Sequence, residues 1–166
     1  WDYLEHLTKD SNAPIKRNDK NSWTTYYKLK PIDGMLMHSY NIGHSQYVWD
    51  VRQNQKVIDV FAKIYNTDDL LTSFDGASFH IPPEETGFGW NANIYDFHTD
   101  QGFTRNNFEC VQSWVTANDI NNGDATLTFL EGSHVFHEDV AKKFNLFNKD
   151  DWYKLNEEEI KYYVND

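Results

Sequence analysis

The sequence predicts a mainly β domain with flanking helices, of the sandwich or barrel kind. Between about residues 70 and 134, short runs rich in β-branched and aromatic residues alternate with clusters of turn formers. These runs follow one another without helices between them, which disfavours a parallel α/β sheet. Six Trp, ten Tyr and eleven Phe supply enough large apolar surface to close a core.

The 166 residues fit one domain in four stretches. Residues 1–44 are irregular, with turn formers at Asn12-Ala13-Pro14, Asn18-Asp19 and Pro31-Ile32-Asp33-Gly34. A helix is expected over about 45–65, where Val57, Val60, Phe61 and Ile64 recur at three- and four-residue steps and Arg52, Gln53, Gln55 and Lys56 fill the other side. The β core is expected over about 70–134, with strands near 71–78, 91–98, 108–116 and 126–130. Its turns fall at Pro82-Pro83, Gly87 to Gly89, Asn106-Asn107 and Asn121-Asn122-Gly123-Asp124. Helix returns over 138–166, first with Val140, Phe144 and Phe147 on one face, then from Ile160 to Val164 after an acidic Glu157-Glu158-Glu159 opening.

Charge narrows the function classes. Fifteen basic against 26 acidic side chains leave a formal net charge of −11, a field that repels phosphate backbones and anionic lipid. The expectation is therefore a small-molecule substrate, no nucleic acid and no membrane, with CoA thioesters and polyphosphates disfavoured among substrates. The single cysteine, Cys110, forms no intramolecular disulfide, which points to a cytoplasmic or other intracellular setting.

Among seven histidines, His6, His38 and His44 lie in irregular or pre-helical sequence and read as surface residues, whereas His80, before Ile81-Pro82-Pro83, is a pocket candidate. His98-Thr99-Asp100 differs from these. On a strand, residues two apart share a face, so the imidazole and carboxylate converge and can grip one side of a divalent metal. Two histidines and one carboxylate with open positions are the arrangement of non-haem Fe(II) oxygenases. Alone, the three-residue motif is weak, and the simpler reading of it is a strand-end ion pair.

The surrounding order adds specificity. Phe97-His98-Thr99-Asp100 is followed by a strand with a central Trp114, a turn at Asn122-Gly123, and a strand closing on Gly132-Ser133-His134. This set, over roughly residues 45–138, resembles the phytanoyl-CoA dioxygenase family of Fe(II)/2-oxoglutarate-dependent oxygenases. Residues 47–65 leading into Asp69 to Gly76 are similar to the family's helix and first core strand. The resemblance implies a double-stranded β-helix, a cupin-like jelly roll holding iron at its mouth, incomplete here at its C-terminus. It implies His98 and Asp100 as metal ligands, with Fe(II) and 2-oxoglutarate as cofactors. Trp114 corresponds to a residue beside 2-oxoglutarate, and Gln112, on the same strand face, joins it as a cofactor-binding candidate.

The match departs from the family at two points. A late-strand histidine and a following arginine are absent, since only His134 and His137 come after Asp100 and no Arg follows Arg105. Three explanations stand: the chain stops before the closing strands, which a further segment or chain then supplies; His134 substitutes as third ligand; or catalysis has been lost and a β-barrel binding or structural module remains. Gly87-Phe88-Gly89-Trp90 and the first forty residues are expected at the pocket mouth. Phe97, Phe103 and Trp90 are either a dry wall or ordinary core.

Overall fold

The computed structural model describes residues 1–88, 97–105, 107–124 and 126–164. They belong to two compact units, Trp1–Ala92 and Asn93–Asp166. The expectations for strand residues 91–96, and for Gly89, Trp90, Asn106 and Ala125, lie outside the described residues.

The first unit begins with α1 (Asp2–Thr8), whose first turn carries Asp2 and Glu5, anions suited to a helix N-terminus. Arg17 reaches both carboxylates, and Glu5 also accepts the Arg17 amide at 2.7 Å. The Arg17 hydrogen bonds hold the Glu5 carboxyl down at about 2. Thr8 is buried and fully used: its hydroxyl donates to Leu4 O at 2.8 Å and accepts from Ile15 N at 2.9 Å, tying the following loop to the helix. A 3-10 helix over Lys20–Leu29, capped by the Asp19 carboxylate, then carries Tyr26 into the core. That core comprises Leu4, Ile15, Tyr26, Met37, Ile42 and Ile81.

One small sheet lies beside it, with β1 (Leu36–Met37) antiparallel to β2 (Ala77–Ser78). Glycine is obligatory just before β2, because a Cβ at Gly76 would sit 2.1 Å from Met37 O and 2.3 Å from a ring carbon of His38. Between the strands run α2 (Gln46–Arg52) and α3 (Gln55–Tyr65), interrupted at Gln53-Asn54 because the Asn54 side chain caps α3 by accepting the Lys56 amide. A short helix, α4 (Pro83–Thr86), follows β2.

The second unit pairs β3 (His98–Thr99) antiparallel with β4 (Tyr153–Lys154), His98 opposite Lys154 and Thr99 opposite Tyr153. Its core is Phe103, Val140, Ala141, Leu146 and Leu155. Val140 and Ala141 come from α5 (His137–Phe144), which follows a 3-10 turn over Ser133–Phe136. The last helix, α6 (Glu157–Val164), starts in a reciprocal cap. Asn156 Oδ1 accepts the amides of Glu158 and Glu159, and the buried Glu159 carboxylate accepts the Asn156 amide and the Tyr153 hydroxyl.

The mainly β expectation is overturned. Helix makes up about 40% of the structure and strand only 7%, and among the described residues the strands form two small antiparallel sheets and no barrel. Of the expected strand 71–78 only Ala77 and Ser78 pair, and neither 108–116 nor the described part of 126–130 lies in a strand. The reason is physical: an alternating run becomes a strand only when a partner satisfies its backbone. The double-stranded β-helix is therefore not the architecture of this chain as described. No described helix is long and apolar enough to cross a membrane.

Candidate functional site

β3 is short but fixed on both sides. Leu155 N donates to Phe97 O at 2.9 Å and Trp152 N donates to Asp100 O at 3.0 Å, so the backbone is held immediately before and after the two paired residues. Strand alternation then sends His98 and Asp100 to one face. The structure brings them together as expected: His98 Nε2 lies 3.1 Å from Asp100 Oδ1, with the side chains 34% and 48% exposed.

Thr99 turns to the other face, where its Oγ1 is buried without a hydrogen-bond partner in the described structure. Phe103 is fully buried, stacked 4.6 Å from His137 and edge-on to Tyr153 at 5.7 Å. Phe97 packs against the same cluster. Phe103 is thus a core residue, and Phe97 is partly buried against that core.

The pair has the donor chemistry of a metal site. A neutral imidazole nitrogen and a carboxylate oxygen suit Fe, Zn or Mn. Two ligands at right angles on one ion, each about 2.1 Å from it, have donor atoms about 3.0 Å apart, close to the separation seen. As an ion pair between half-exposed groups the same contact contributes at most about 1 kcal/mol, so stability alone is a weak reason for the scaffolding around it.

Other candidates are not gathered there. Among the described residues no group of three His, Cys, Asp or Glu is arranged to hold a metal, and His134, in the Ser133–Phe136 turn, does not make a third with His98 and Asp100. Gln112 and Trp114 both lie on an exposed stretch outside any strand, Trp114 being 42% exposed. His80 is exposed after β2.

Two features escaped the sequence reading. The first is Asp151-Trp152, in the turn entering β4. Trp152 lays its indole 5.1 Å from the His98 ring at a 35° tilt. Asp151 Oδ1 accepts the Gly102 amide at 2.6 Å, and both its oxygens meet the Arg105 guanidinium at 3.2 Å. The Gly102 amide and then Arg105 hold the Asp151 carboxyl below its ordinary value. No local signal marks these residues, because their meaning comes from a pairing across some fifty positions of chain.

The second is in the first unit, where His38 and His44, read as surface residues, line a cavity of about 310 Å³ with Tyr40, Phe74 and Asp75. His38 Nε2 pairs with Asp75 Oδ1 at 3.3 Å, and the His44 ring lies 4.7 Å from that of Phe74 at a 37° tilt.

No family model matches the chain, and no solved structure matches it. It is similar to "Ava biosynthesis cluster protein O" of Aspergillus versicolor, 28% identical over 136 residues, an alignment that takes in 81% of this chain and 42% of that protein. The chain thus spans about two fifths of the length of this curated relative.

Proposed function

We propose that the chain is part of a biosynthetic enzyme, and that its chemistry is Fe(II)/2-oxoglutarate-dependent hydroxylation of a small organic substrate. The observation that carries this reading is the His98/Asp100 pair, with its donor atoms 3.1 Å apart on one face of β3. The relative's name, which speaks of a biosynthesis cluster, supports the broader part of the proposal. The ordered resemblance from Phe97 to His134 supports the narrower part.

Within this reading His98 offers a nitrogen lone pair and Asp100 a carboxylate oxygen to the metal. The β3–β4 ladder keeps the two from separating. Phe97 and Phe103 close the interior behind them against water. Iron held by His98 and Asp100 would activate O2, one oxygen atom ending in the hydroxylated product and the other in succinate as 2-oxoglutarate loses CO2. Among the described residues no third ligand joins the pair.

The test is succinate formation by the full-length protein supplied with Fe(II), 2-oxoglutarate and oxygen. Turnover is expected, and His98→Ala or Asp100→Ala lowers it by more than the about 10- to 100-fold typical of outer-shell substitutions. No succinate, together with metal content unchanged by either substitution, overturns the proposal and leaves a non-catalytic module.

A further inference from the structure

We infer that Trp152 is a positioning residue for the His98/Asp100 site, seating the His98 imidazole by ring contact while its backbone fixes Asp100. The inference rests on the metal-site reading above and goes beyond it by assigning the element that orients the first ligand.

Three independent observations converge on this residue. Its amide donates to Asp100 O at 3.0 Å and its ring lies 5.1 Å from the His98 ring, so a single residue touches both members of the pair. Its backbone is left-handed, with φ of 58°, a conformation that bulky L-residues avoid because the Cβ crowds the following carbonyl. The residue is 52% exposed, so burial of the indole offsets that cost only in part. A strained, half-exposed tryptophan is poor use of an aromatic unless its placement serves something.

The neighbouring residue explains how the strain is held. The Asp151 carboxylate accepts the Gly102 amide at 2.6 Å and bridges to Arg105, clamping the turn to the segment that leaves Asp100. Gly102 leaves room for this approach, since a Cβ there would lie 3.2 Å from Asp151 Oδ1 and from Lys149 O. The clamp thus holds the turn that carries Trp152, and the indole packs against the imidazole. Metal-ligating histidines generally depend on such outer partners to fix their ring.

Co(II) provides a probe that does not require turnover. In the full-length protein, Co(II) affinity is measured by equilibrium dialysis alongside tryptophan emission. Trp152→Ala is expected to weaken binding by about 10- to 100-fold, and Trp152→Phe, which keeps an aromatic ring and the same amide, to restore most of it. Co(II) is also expected to quench the emission component that disappears in Trp152→Phe, because His98, which would hold the ion, has its ring 5.1 Å from that indole.

If the wild-type protein binds Co(II) in a His98-dependent way but Trp152→Ala binds equally well, the inference fails and the site stands. If binding does not depend on His98, the metal-site reading fails and the inference with it. Should Trp152→Ala not fold, the quenching difference between wild type and Trp152→Phe decides alone, and its absence overturns the inference.

Discussion

Residues 97–100 and 108–116 carry much the same sequence signal, aromatic and β-branched side chains in short alternation, yet they meet different fates. The first stretch pairs with β4, rests on Phe103 and is clamped through Asp151 and Arg105. The second lies in no strand, and Phe108 and Val115 are 69% and 55% exposed. Local pattern does not separate them. What separates them is whether a distant segment returns to satisfy the backbone and cover one face.

The largest expected effect tests that difference directly. Phe103 is fully buried whereas Phe129, on the unpaired side of the same unit, is 72% exposed. Phe103→Ala is expected to cost about 3–5 kcal/mol through lost burial and a residual cavity. Phe129→Ala is expected to stay within about 0.5 kcal/mol, as exposed substitutions do. Chemical denaturation of each variant measures both. Similar losses would break the comparison, showing that the second stretch is as well packed as the first.

A smaller effect sharpens the β4 side. Tyr153 donates to the buried Glu159 carboxylate at 3.0 Å, and burial first, then that hydrogen bond, raises its hydroxyl above the ordinary tyrosine value. The folded state therefore favours the neutral phenol. Its contribution is present in full below about pH 10, the ordinary tyrosine value, and is lost as pH rises beyond it. Tyr153→Phe removes a hydrogen bond to a charged group, typically about 1.5–3 kcal/mol, and should flatten the alkaline limb of the stability profile. Urea midpoints at several pH values, with tyrosinate absorbance as the titration monitor, check both points. An unchanged alkaline limb in the variant would detach Tyr153 from the stability of β4.

The same contrast explains what could be read in advance. α3 was legible because Val57, Val60, Phe61 and Ile64 repeat at helical spacing, and the helix forms at Gln55–Tyr65. Its break from α2 turned on one side-chain cap at Asn54, a signal too local for periodicity to register. None of its residues is buried, with Val60 57% exposed, so periodicity announced the helix without locating what covers it. His98 and Asp100 were legible because two-residue spacing alone puts them on one face. Asp151 and Trp152 were not, since only the fold brings them to that face. The β core was misread for the same reason: alternation states what a segment would do with a partner, and the partner is a property of the whole chain.

Thr99 offers the finest test, because it sits between the two site residues and points away from them. Its hydroxyl is buried without a hydrogen-bond partner in the described structure, so folding strips it of water and returns nothing. Valine has nearly the same shape, favours strands and lacks the hydroxyl. Thr99→Val is therefore expected to raise stability by about 1 kcal/mol, the lower end of the penalty for a buried unsatisfied group. Because position 99 faces Tyr153 rather than the His98/Asp100 edge, Co(II) affinity should not change. A stabilised variant with unaltered metal binding would show that the two faces of β3 act independently, one for packing and one for chemistry. A destabilised variant would mean that the hydroxyl has a partner in solution, and weakened metal binding would mean that the buried face helps to set the ligand pair.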